Sequence, residues 1–380
     1  MIYLDHAATT PVPKAVADAM YTVLTEQYAN PNAQYPFGQE MRRSVEDWRA
    51  VIAKAVGCEA NQLFFTSCGT EGDNWAIRAA CWQNRHVGRH IVTTAVEHHA
   101  VLNCCQQLEQ EGWEVTTILP DQNGDISAES VLAAVRPDTA LVSVMMVNNE
   151  LGSIYPIADI AKGLKAVNEK TLLHTDAVQG FLKVPFSAKA LGADFIAISG
   201  HKIGAPKGIG ALYLSDRLVQ AFQPPYLGGE QERGLRPGTE NLPYAVGLAA
   251  AASRLAKTMK SRDTAVRALN QRLREGLKAF HEVVINSPEN AVPEVLNFSE
   301  NCIKSETMLA WLAEAQIYVS SASACGRGQP SHTLAAMSRD PLAIDTAIRV
   351  SFCADNTPED VDAFLNRFED GMKHLQKIRK

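Results

Sequence analysis

The stretch from Phe195 to Leu214, "FIAISGHKIGAPKGIGALYL", places two short apolar runs on either side of a glycine-rich turn. Runs that are apolar throughout are typical of strands covered on both faces. Upstream of this stretch, "QLFFTS", "HIVTTAV", "WEVTTIL", "ALVSVMMV" and "TLLHTDAV" alternate with longer segments of helical periodicity. This alternation predicts an α/β fold built from βαβ units around a mostly parallel sheet.

Downstream of the predicted strands lies a segment rich in glycine, proline and arginine, "PPYLGGEQERGLRPGTENLP", at residues 224–243. Its turn composition predicts an extended surface loop. The long segment that follows has apolar residues at helical spacing, which predicts a helix leading into a second domain near residue 258. We therefore expect a large domain over residues 12–257 and a smaller α+β domain formed by residues 1–11 and 258–380.

Composition and charge argue against several classes of protein. The 36 Lys and Arg are scattered and the net charge is −6, so direct nucleic-acid binding is not expected. No apolar run approaches membrane-spanning length, and the first residues do not resemble a secretory signal. The eight cysteines are irregularly spaced and form no CxxC pair, which predicts reduced thiols in a cytoplasmic protein.

Two polar side chains follow predicted strands at the edge where ligands bind in parallel sheets. Lys202 opens the glycine-rich turn, and a desolvated lysine there could act as a Schiff-base nucleophile, although a plain surface lysine is the alternative. Asp176 lies in "TLLHTDAV" at the end of another predicted apolar strand, where a buried carboxylate needs a partner. The ring nitrogen of pyridoxal phosphate (PLP) would be such a partner, whereas a helix-capping or salt-bridging aspartate is equally compatible with the pattern.

A phosphate could bind at the same edge. Gly69 and Thr70, in "FFTSCGTEGDNWAI", lie between a predicted strand and a helix start, where free backbone N–H groups favour an anion. Ser199 and His201 flank the lysine turn and offer two further polar groups. The alternative for Gly69 and Thr70 is an ordinary helix start.

The adjacent His98 and His99 follow another predicted strand. His98 could stack on an aromatic ring, and a histidine without function is the alternative. The pair lacks the HExxH spacing of zinc sites, so we expect no metal site.

Cys325 lies in the polar segment "YVSSASACGRGQPSHTL", without apolar periodicity around it. These surroundings and the nearby Arg327 favour an exposed, reactive thiolate over an inert buried thiol.

Seven motifs together resemble those of one enzyme family: "YLDHAATTPV" (Tyr3–Val12), "VNNELG", "HTDAVQ", "SGHKIGAPKGIGALYL", "RPGTEN", "SSASAC" and "AIRVSF" (Ala347–Phe352). In this order and at these separations, they resemble the cysteine desulfurases of NifS and IscS type. These are class-V aminotransferase-like, fold-type-I PLP enzymes. The resemblance implies conversion of L-cysteine to L-alanine on PLP, with transfer of sulfur to Cys325 as a persulfide.

The resemblance also assigns cofactor roles, residue by residue. Lys202 would form the Schiff base, Asp176 would face the pyridine nitrogen, Gln179 would bond the ring hydroxyl, and His98 would stack on the ring and relay protons. The residues implied to hold the phosphate are Gly69, Thr70, Ser199, His201 and, from the neighbouring subunit of a homodimer, Thr239.

Substrate and sulfur roles follow in the same way. Asn149 and Arg349 would fix the substrate carboxylate, with Asn149 also beside the cofactor. The segment around residues 320–340 is similar to that of the subgroup with a long, flexible cysteine loop, which would carry the persulfide to an acceptor protein. That acceptor could be an iron–sulfur scaffold, a tRNA- or DNA-thiolation enzyme, or a sulfur carrier.

Two departures and three alternatives stand beside this prediction. The chain has "NPNAQY" (Asn30–Tyr35) where many relatives have "NPSSxH", and Ala322 where they have glycine. A selenocysteine lyase, another class-V aminotransferase and a catalytically silent scaffold are the alternatives. Cys325 argues against the aminotransferase, and the presence of Lys202 and Asp176 argues against the silent scaffold.

Overall fold

The structure is a computed structural model that describes residues 1–219, 222–224, 226–321 and 330–378. Its strands are β1 Ile2–Tyr3, β2 Leu63–Thr66, β3 His90–Thr94, β4 Glu114–Ile118, β5 Thr139–Ser143, β6 Leu172–Asp176, β7 Phe195–Ser199, β8 Gly210–Leu214, β9 Val284–Ile285, β10 Val295–Ser299, β11 Ile317–Tyr318 and β12 Ala347–Ser351. Its α-helices are α1 Lys14–Thr25, α2 Pro36–Val56, α3 Gly69–Asn84, α4 His99–Gln110, α5 Ala128–Ala133, α6 Ile157–Val167, α7 Ala188–Leu191, α8 Asp216–Val219, α9 Leu242–Leu277, α10 Ser305–Glu314, α11 His332–Ala336, α12 Pro341–Asp345 and α13 Pro358–His374. Short 3-10 turns cover Ala60–Gln62, Gly200–Lys202 and Gln231–Gly234. None of the helices in these ranges combines the length and apolar character needed to cross a membrane.

The seven predicted strands form one sheet in the order β2-β8-β7-β6-β5-β3-β4. β4, β3, β5, β6 and β7 run parallel, whereas β8 is antiparallel to both β7 and β2. The predicted mostly parallel α/β sheet is therefore confirmed. Because β3, β5, β6 and β7 are parallel, the residues that follow them meet at one edge.

The central strands are covered on both faces. Leu141 and Phe195 pack on one side with α3, while their chain neighbours Val142 and Ile196 pack into a separate core on the other side. Successive strand residues point to opposite faces, so both members of each pair must be apolar. This explains why the sequence of these strands does not alternate between apolar and polar residues.

A smaller antiparallel sheet, β12-β10-β9, lies nearer the end of the chain, and β1 pairs with β11 in a two-stranded ribbon. α9 connects one core of the large sheet to the core beside the smaller sheet. Its first half packs Leu248 into the core of the large sheet, and its second half packs Leu273 against the cluster containing Phe298 and Phe364. Residue 258 falls inside this helix, and the domain boundary placed there stays a prediction.

The segment of residues 4–10 crosses between the two cores. The backbone N–H of Ala7 donates to Ser351 Oγ at 2.9 Å, and the N–H of Thr10 donates to the carbonyl of His201 at 2.9 Å. The Gly204 N–H donates to Thr10 Oγ1 at 2.7 Å. These bonds fix the carbonyls of residues 7 and 8 beside the turn that carries Lys202.

The predicted surface loop at residues 224–243 is anchored by a buried carboxylate. Glu232 accepts two hydrogen bonds from Arg49, at 2.7 and 2.8 Å, and one from the Phe65 N–H at 2.8 Å. Its backbone is in the left-handed region, with φ 48°. The loop composition gave no signal for this anchor, since Arg49 lies far away on α2.

Candidate active site

A cavity opens at the carboxyl edge of the large sheet, the edge at which parallel sheets bind their ligands. Its lining includes ten of the twelve residues singled out from the sequence: Gly69, Thr70, His98, Asn149, Asp176, Gln179, Ser199, His201, Lys202 and Arg349. Of the other two, Thr239 is exposed on the 224–243 loop and does not line the cavity, and Cys325 lies outside the described residues. The tertiary structure thus brings together residues that lie up to 280 positions apart, from 69 to 349.

Lys202 enters the cavity from the 3-10 turn that directly follows β7. Its Nζ donates to the carbonyl of Ala7 at 2.6 Å and to that of Ala8 at 2.9 Å. The amine is therefore held against the crossing segment, within reach of whatever occupies the cavity.

Asp176 is the last residue of β6 and is buried. Its Oδ1 accepts from the Val178 N–H at 2.8 Å. Burial raises the pKa of Asp176 to about 6, and the Val178 N–H and the charge of Lys202 oppose that rise. A cationic N–H in the cavity would stabilise the ionised carboxylate further.

Two buried residues behind Asp176 were missed by the sequence analysis. Asp73, on α3, has its Oδ1 3.4 Å from His174 Nε2, and His174 Nδ1 lies 2.8 Å from Ser143 Oγ. Burial, with the charge of Asp176 adding to it, raises the pKa of Asp73 well above its usual range. Burial also lowers the pKa of His174 to about 3. Burial thus favours the uncharged forms of both Asp73 and His174.

The start of α3 provides an anion-binding corner. Gly69 and Thr70 begin the helix, and the N-cap residue Cys68 makes no side-chain capping bond to its N–H groups. Those first N–H groups have no acceptor within the helix, so they can receive a phosphate. Ser199 and His201 line the same cavity, and burial lowers the pKa of His201 to about 4, with Lys202 adding to the shift.

His98 is the N-cap of α4, and its Nδ1 accepts from the Ala100 N–H at 3.1 Å. This bond assigns the ring hydrogen of the neutral tautomer to Nε2. Burial lowers the pKa of His98 to about 4, and the charge of Lys202 lowers it further. The ring is therefore neutral at pH 7.

One ligand atom from each of Asp73, His98 and Asp176 lies within 4.8 Å of the other two, so this trio could in principle hold a metal ion. The expectation that the protein has no metal site stays a prediction.

Arg349, on β12, is almost completely buried and forms the opposite wall. It donates from Nη1 to the Asn149 carbonyl at 2.9 Å and from Nη2 to Asp5 Oδ1 at 2.8 Å. Ser320 Oγ donates to the other oxygen of Asp5 at 3.0 Å. The guanidinium is thereby fixed in place. These bonds use two of its five N–H groups, so further N–H groups can bind a ligand. Asp5, a third residue that the sequence analysis missed, already balances its charge.

Gln179 connects the cavity to a lysine that the sequence analysis did not consider. Its Oε1 accepts from Lys183 Nζ at 2.8 Å, and its Nε2 donates to the Ala7 carbonyl at 2.9 Å. Burial lowers the pKa of Lys183 to about 8. The spacing of four residues in the sequence would have been the only signal for this pair.

The donors and acceptors fit PLP. A buried carboxylate with a raised pKa lies at the sheet edge, uncapped helix N–H groups form an anion site, a lysine amine lies between them, and a neutral histidine ring offers a stacking face. A carboxylate facing the ring nitrogen and a Schiff-base lysine are the groups by which proteins bind and tune this cofactor.

Comparison with known proteins agrees with this geometry. The family model described as aminotransferase class-V matches residues 2–364. The chain belongs to the aminotransferase class-V family. Among curated relatives of this class-V chain, the cysteine desulfurase IscS of Methanosarcina thermophila is 40% identical over 380 residues, which cover 99% of this chain and 93% of the relative.

Two solved structures extend the comparison. One, a "NifS-like protein", is 36% identical with a TM-score of 0.93, covering 98% of this class-V chain and 100% of the other. A second, described as SspA in complex with cysteine, is 31% identical with a TM-score of 0.83, covering 94% and 100%. These matches confirm the fold-type-I architecture, the PLP-dependent enzyme class and the resemblance to NifS and IscS. They favour a cysteine desulfurase over a selenocysteine lyase, another aminotransferase or a silent scaffold.

Proposed function

We propose that this protein removes sulfur from L-cysteine, leaves L-alanine, and holds the sulfur as a persulfide on Cys325 before passing it to an acceptor protein. The observation that carries the proposal is the convergence of Lys202, Asp176, His98 and Arg349 on one cavity at the strand ends. Relatives named cysteine desulfurases at 40% identity support the choice of reaction.

The contacts support the cofactor-binding roles that the family resemblance implies. Lys202 would hold PLP, Asp176 would face its ring nitrogen, Gln179 would reach its ring hydroxyl, and the α3 N-terminus with Ser199 and His201 would receive its phosphate. When bound, PLP supplies an electron sink for the substrate carbon. In this scheme the Lys202 amine, which lines the cavity, is the base that takes the substrate's α-proton.

Arg349 and Asn149 would orient the substrate. The carboxylate of L-cysteine suits the fork of Arg349, whose Nη1 and Nη2 already hold the Asn149 carbonyl and Asp5. The remaining N–H groups of the guanidinium can bind the substrate carboxylate while Asp5 keeps the plane of the fork fixed. His98, neutral and with its hydrogen on Nε2, can pass a proton to a nearby atom of the substrate.

The sulfur step balances without an external oxidant. The Cys325 thiolate attacks the substrate's sulfur, the new S–S bond forms, and the substrate's C–S bond breaks. The electron pair of that bond stays on the former Cβ, which takes a proton and becomes the methyl group of alanine. The two electrons that the sulfur loses are gained by the carbon, so no external oxidant is needed. The attack of a thiolate on sulfur resembles that in thiol–disulfide exchange.

A homodimer would complete the site. Thr239 is exposed and lies outside its own chain's cavity, on the loop that Glu232 anchors to Arg49. This position is consistent with a threonine that reaches the phosphate in a second copy of the chain. The acceptor is a protein of the sulfur-transfer class in the cytoplasm: an iron–sulfur scaffold, a tRNA- or DNA-thiolation enzyme, or a sulfur carrier.

The test measures release of alanine and sulfide from L-cysteine and a reductant by wild type and by Cys325→Ala. We expect the variant to retain the visible band of the cofactor and to lose sulfide release by at least about 100-fold, because no thiolate remains to take the sulfur. Cys58→Ala is the matched control, since burial raises the pKa of that thiol to about 12, and it should release both products at the wild-type rate. Equal sulfide release by Cys325→Ala and wild type would make direct lyase chemistry the better explanation.

A further inference from the structure

A second cavity, of about 820 Å³, lies on the other side of the crossing segment from the active site. Ala7 and Lys202 line both cavities, so the segment of residues 6–8 and the lysine turn form their shared wall. The far wall is built by α9 and by the residues that follow β12. We infer that this second cavity binds a free α-amino acid with an apolar side chain, at a site distinct from that of the substrate.

Charges of both signs meet in this second cavity. Lys183, Arg254 and Arg262 supply positive charge, and Glu294 and Asp355 supply negative charge. A ligand that carries a carboxylate and an ammonium group on one carbon complements both sets. A simple anion would leave the acidic side chains unmatched, and a simple amine would leave the three cations unmatched.

Two of these side chains have buried atoms without hydrogen-bond partners. The atoms without a partner are Arg262 Nη1 and Glu294 Oε2. They lack one although the two side chains are neighbours. The closest approach between their charged groups, from Arg262 Nη2 to Glu294 Oε1, is 3.9 Å, which is longer than a hydrogen bond. The side chain of Glu294 is only 9% exposed. Leaving such groups unsatisfied is unfavourable, and a zwitterion supplies an acceptor for one and a donor for the other.

The remaining lining is apolar and suits an aliphatic side chain. Leu255 and Val266 from α9, with Ile203 and Phe352 from the facing elements, are all largely buried and border the same space. An amino acid could therefore place its charged end between Arg262 and Glu294 and its side chain against this surface. Burying that chain away from water favours binding.

The second cavity is connected to the active site through one lysine. Lys183 lines the second cavity and donates to Gln179 Oε1 at 2.8 Å, and Gln179 lines the active-site cavity. Gln179 and Lys202 share the Ala7 carbonyl as acceptor, at 2.9 and 2.6 Å. A ligand carboxylate that attracts the Lys183 ammonium would weaken its hold on Gln179, so occupancy is communicated to the PLP site.

The experiment uses holoenzyme reduced with borohydride, in which PLP is fixed to Lys202 and cannot exchange with added amino acids. Binding of L-leucine is measured by calorimetry beside two truncated probes, 4-methylpentanoate, which lacks the ammonium, and 3-methylbutylamine, which lacks the carboxylate. We expect L-leucine to bind at least about tenfold more tightly than either probe, from the loss of one charged hydrogen bond. Equal affinity for all three probes, or no binding of L-leucine, would overturn the inference.

Variants locate the site. Arg262→Gln and Glu294→Gln should each weaken L-leucine binding at least about tenfold, and the exposed Arg267→Gln on the same helix, which pairs with Asp263 at 2.9 Å, should leave it unchanged. Arg262 also donates to the Leu182 carbonyl at 3.3 Å, so melting temperatures are recorded and Arg262→Lys is included to keep the charge. L-leucine binding that is unaffected in folded Arg262→Gln and Glu294→Gln would place the ligand elsewhere and refute the assignment.

Discussion

The two cavities on either side of the crossing segment differ in how their polar groups are held. In the active-site cavity, Asp176 and Lys202 follow strand ends, and backbone groups fix them at 2.6–2.9 Å. In the second cavity, Arg262 and Glu294 project from a helix and a loop and keep buried atoms without partners. Strand ends thus orient Asp176 and Lys202 before any ligand arrives, whereas Arg262 and Glu294 keep hydrogen-bonding capacity for a ligand to fill, as Arg349 Nε does in the active-site cavity.

The same substitution in the two cavities should produce the largest contrast. Asp176→Asn would remove the charge that we propose faces the PLP ring nitrogen, and we expect kcat for alanine formation to fall about 100- to 1,000-fold. Asp355→Asn, an equally conservative change in the second cavity, should alter kcat less than threefold. Steady-state rates for both variants, with the visible spectrum as a check of cofactor content, measure this contrast. Similar losses in both variants would show that the two cavities do not differ as described.

Lys183 lines the second cavity and donates a hydrogen bond to Gln179 in the active-site cavity. The pH dependence of stability at this lysine therefore gives a second test of the comparison. Burial holds its pKa at about 8, below its value of 10.5 in the unfolded chain. Between pH 8 and 10.5 the unfolded chain binds a proton that the folded protein does not, so this lysine adds stability as pH rises. Relative to Lys183→Met, wild type should gain about 1–3 kcal/mol over this range.

Urea unfolding of the two proteins at matched pH values measures that gain. Lys189→Met, an exposed lysine on α7, is the control and should follow wild type. A constant difference between wild type and Lys183→Met across the range would mean that Lys183 titrates with the same pKa in both states.

The smallest effect is expected at Asp73, within the active-site cavity itself. Because burial and Asp176 favour its protonated form, Asn is a close substitute for it. Asp73→Asn should therefore change kcat less than threefold, in contrast to Asp176→Asn. pH–rate profiles of the two variants, recorded in parallel, measure this difference. A larger loss of kcat in Asp73→Asn than in Asp176→Asn would show that Asp73 is the ionised member of the pair.

The sequence predicted the residues of the active-site cavity well for a physical reason. Asp176, Ser199 and Lys202 each follow an apolar run, and the ends of parallel strands converge wherever such runs form a sheet. Gln179 and Arg349 were found only through the family resemblance, because no local pattern connects them to the sheet edge. The roles of Thr239 and Cys325 stay predictions. Thr239 lies on an exposed loop, and Cys325 lies outside the described residues.

Other groups could not be predicted, because their function depends on burial and distant partners. Asp73 and His174 occur in ordinary helix and strand segments, and only packing places them 3.4 Å apart behind Asp176. Asp5 meets Arg349 across 344 positions of the chain. Glu232 lies in a segment of surface-loop composition and yet is buried on Arg49.

The amino-acid sequence alone determined where apolar and polar runs alternate along the chain. From that pattern and from the motifs came the parallel sheet, the lysine turn and the kind of cofactor. The sheet and the turn follow from local periodicity and from the convergence of strand ends, whereas the kind of cofactor was settled by the resemblance of the motifs to one enzyme family. Only the tertiary structure decided which carboxyl group is ionised, which lysine faces which cavity, and that a second cavity exists behind the crossing segment. Protonation and cavity formation depend on burial and on groups far apart in the chain, and no stretch of sequence carries that information by itself.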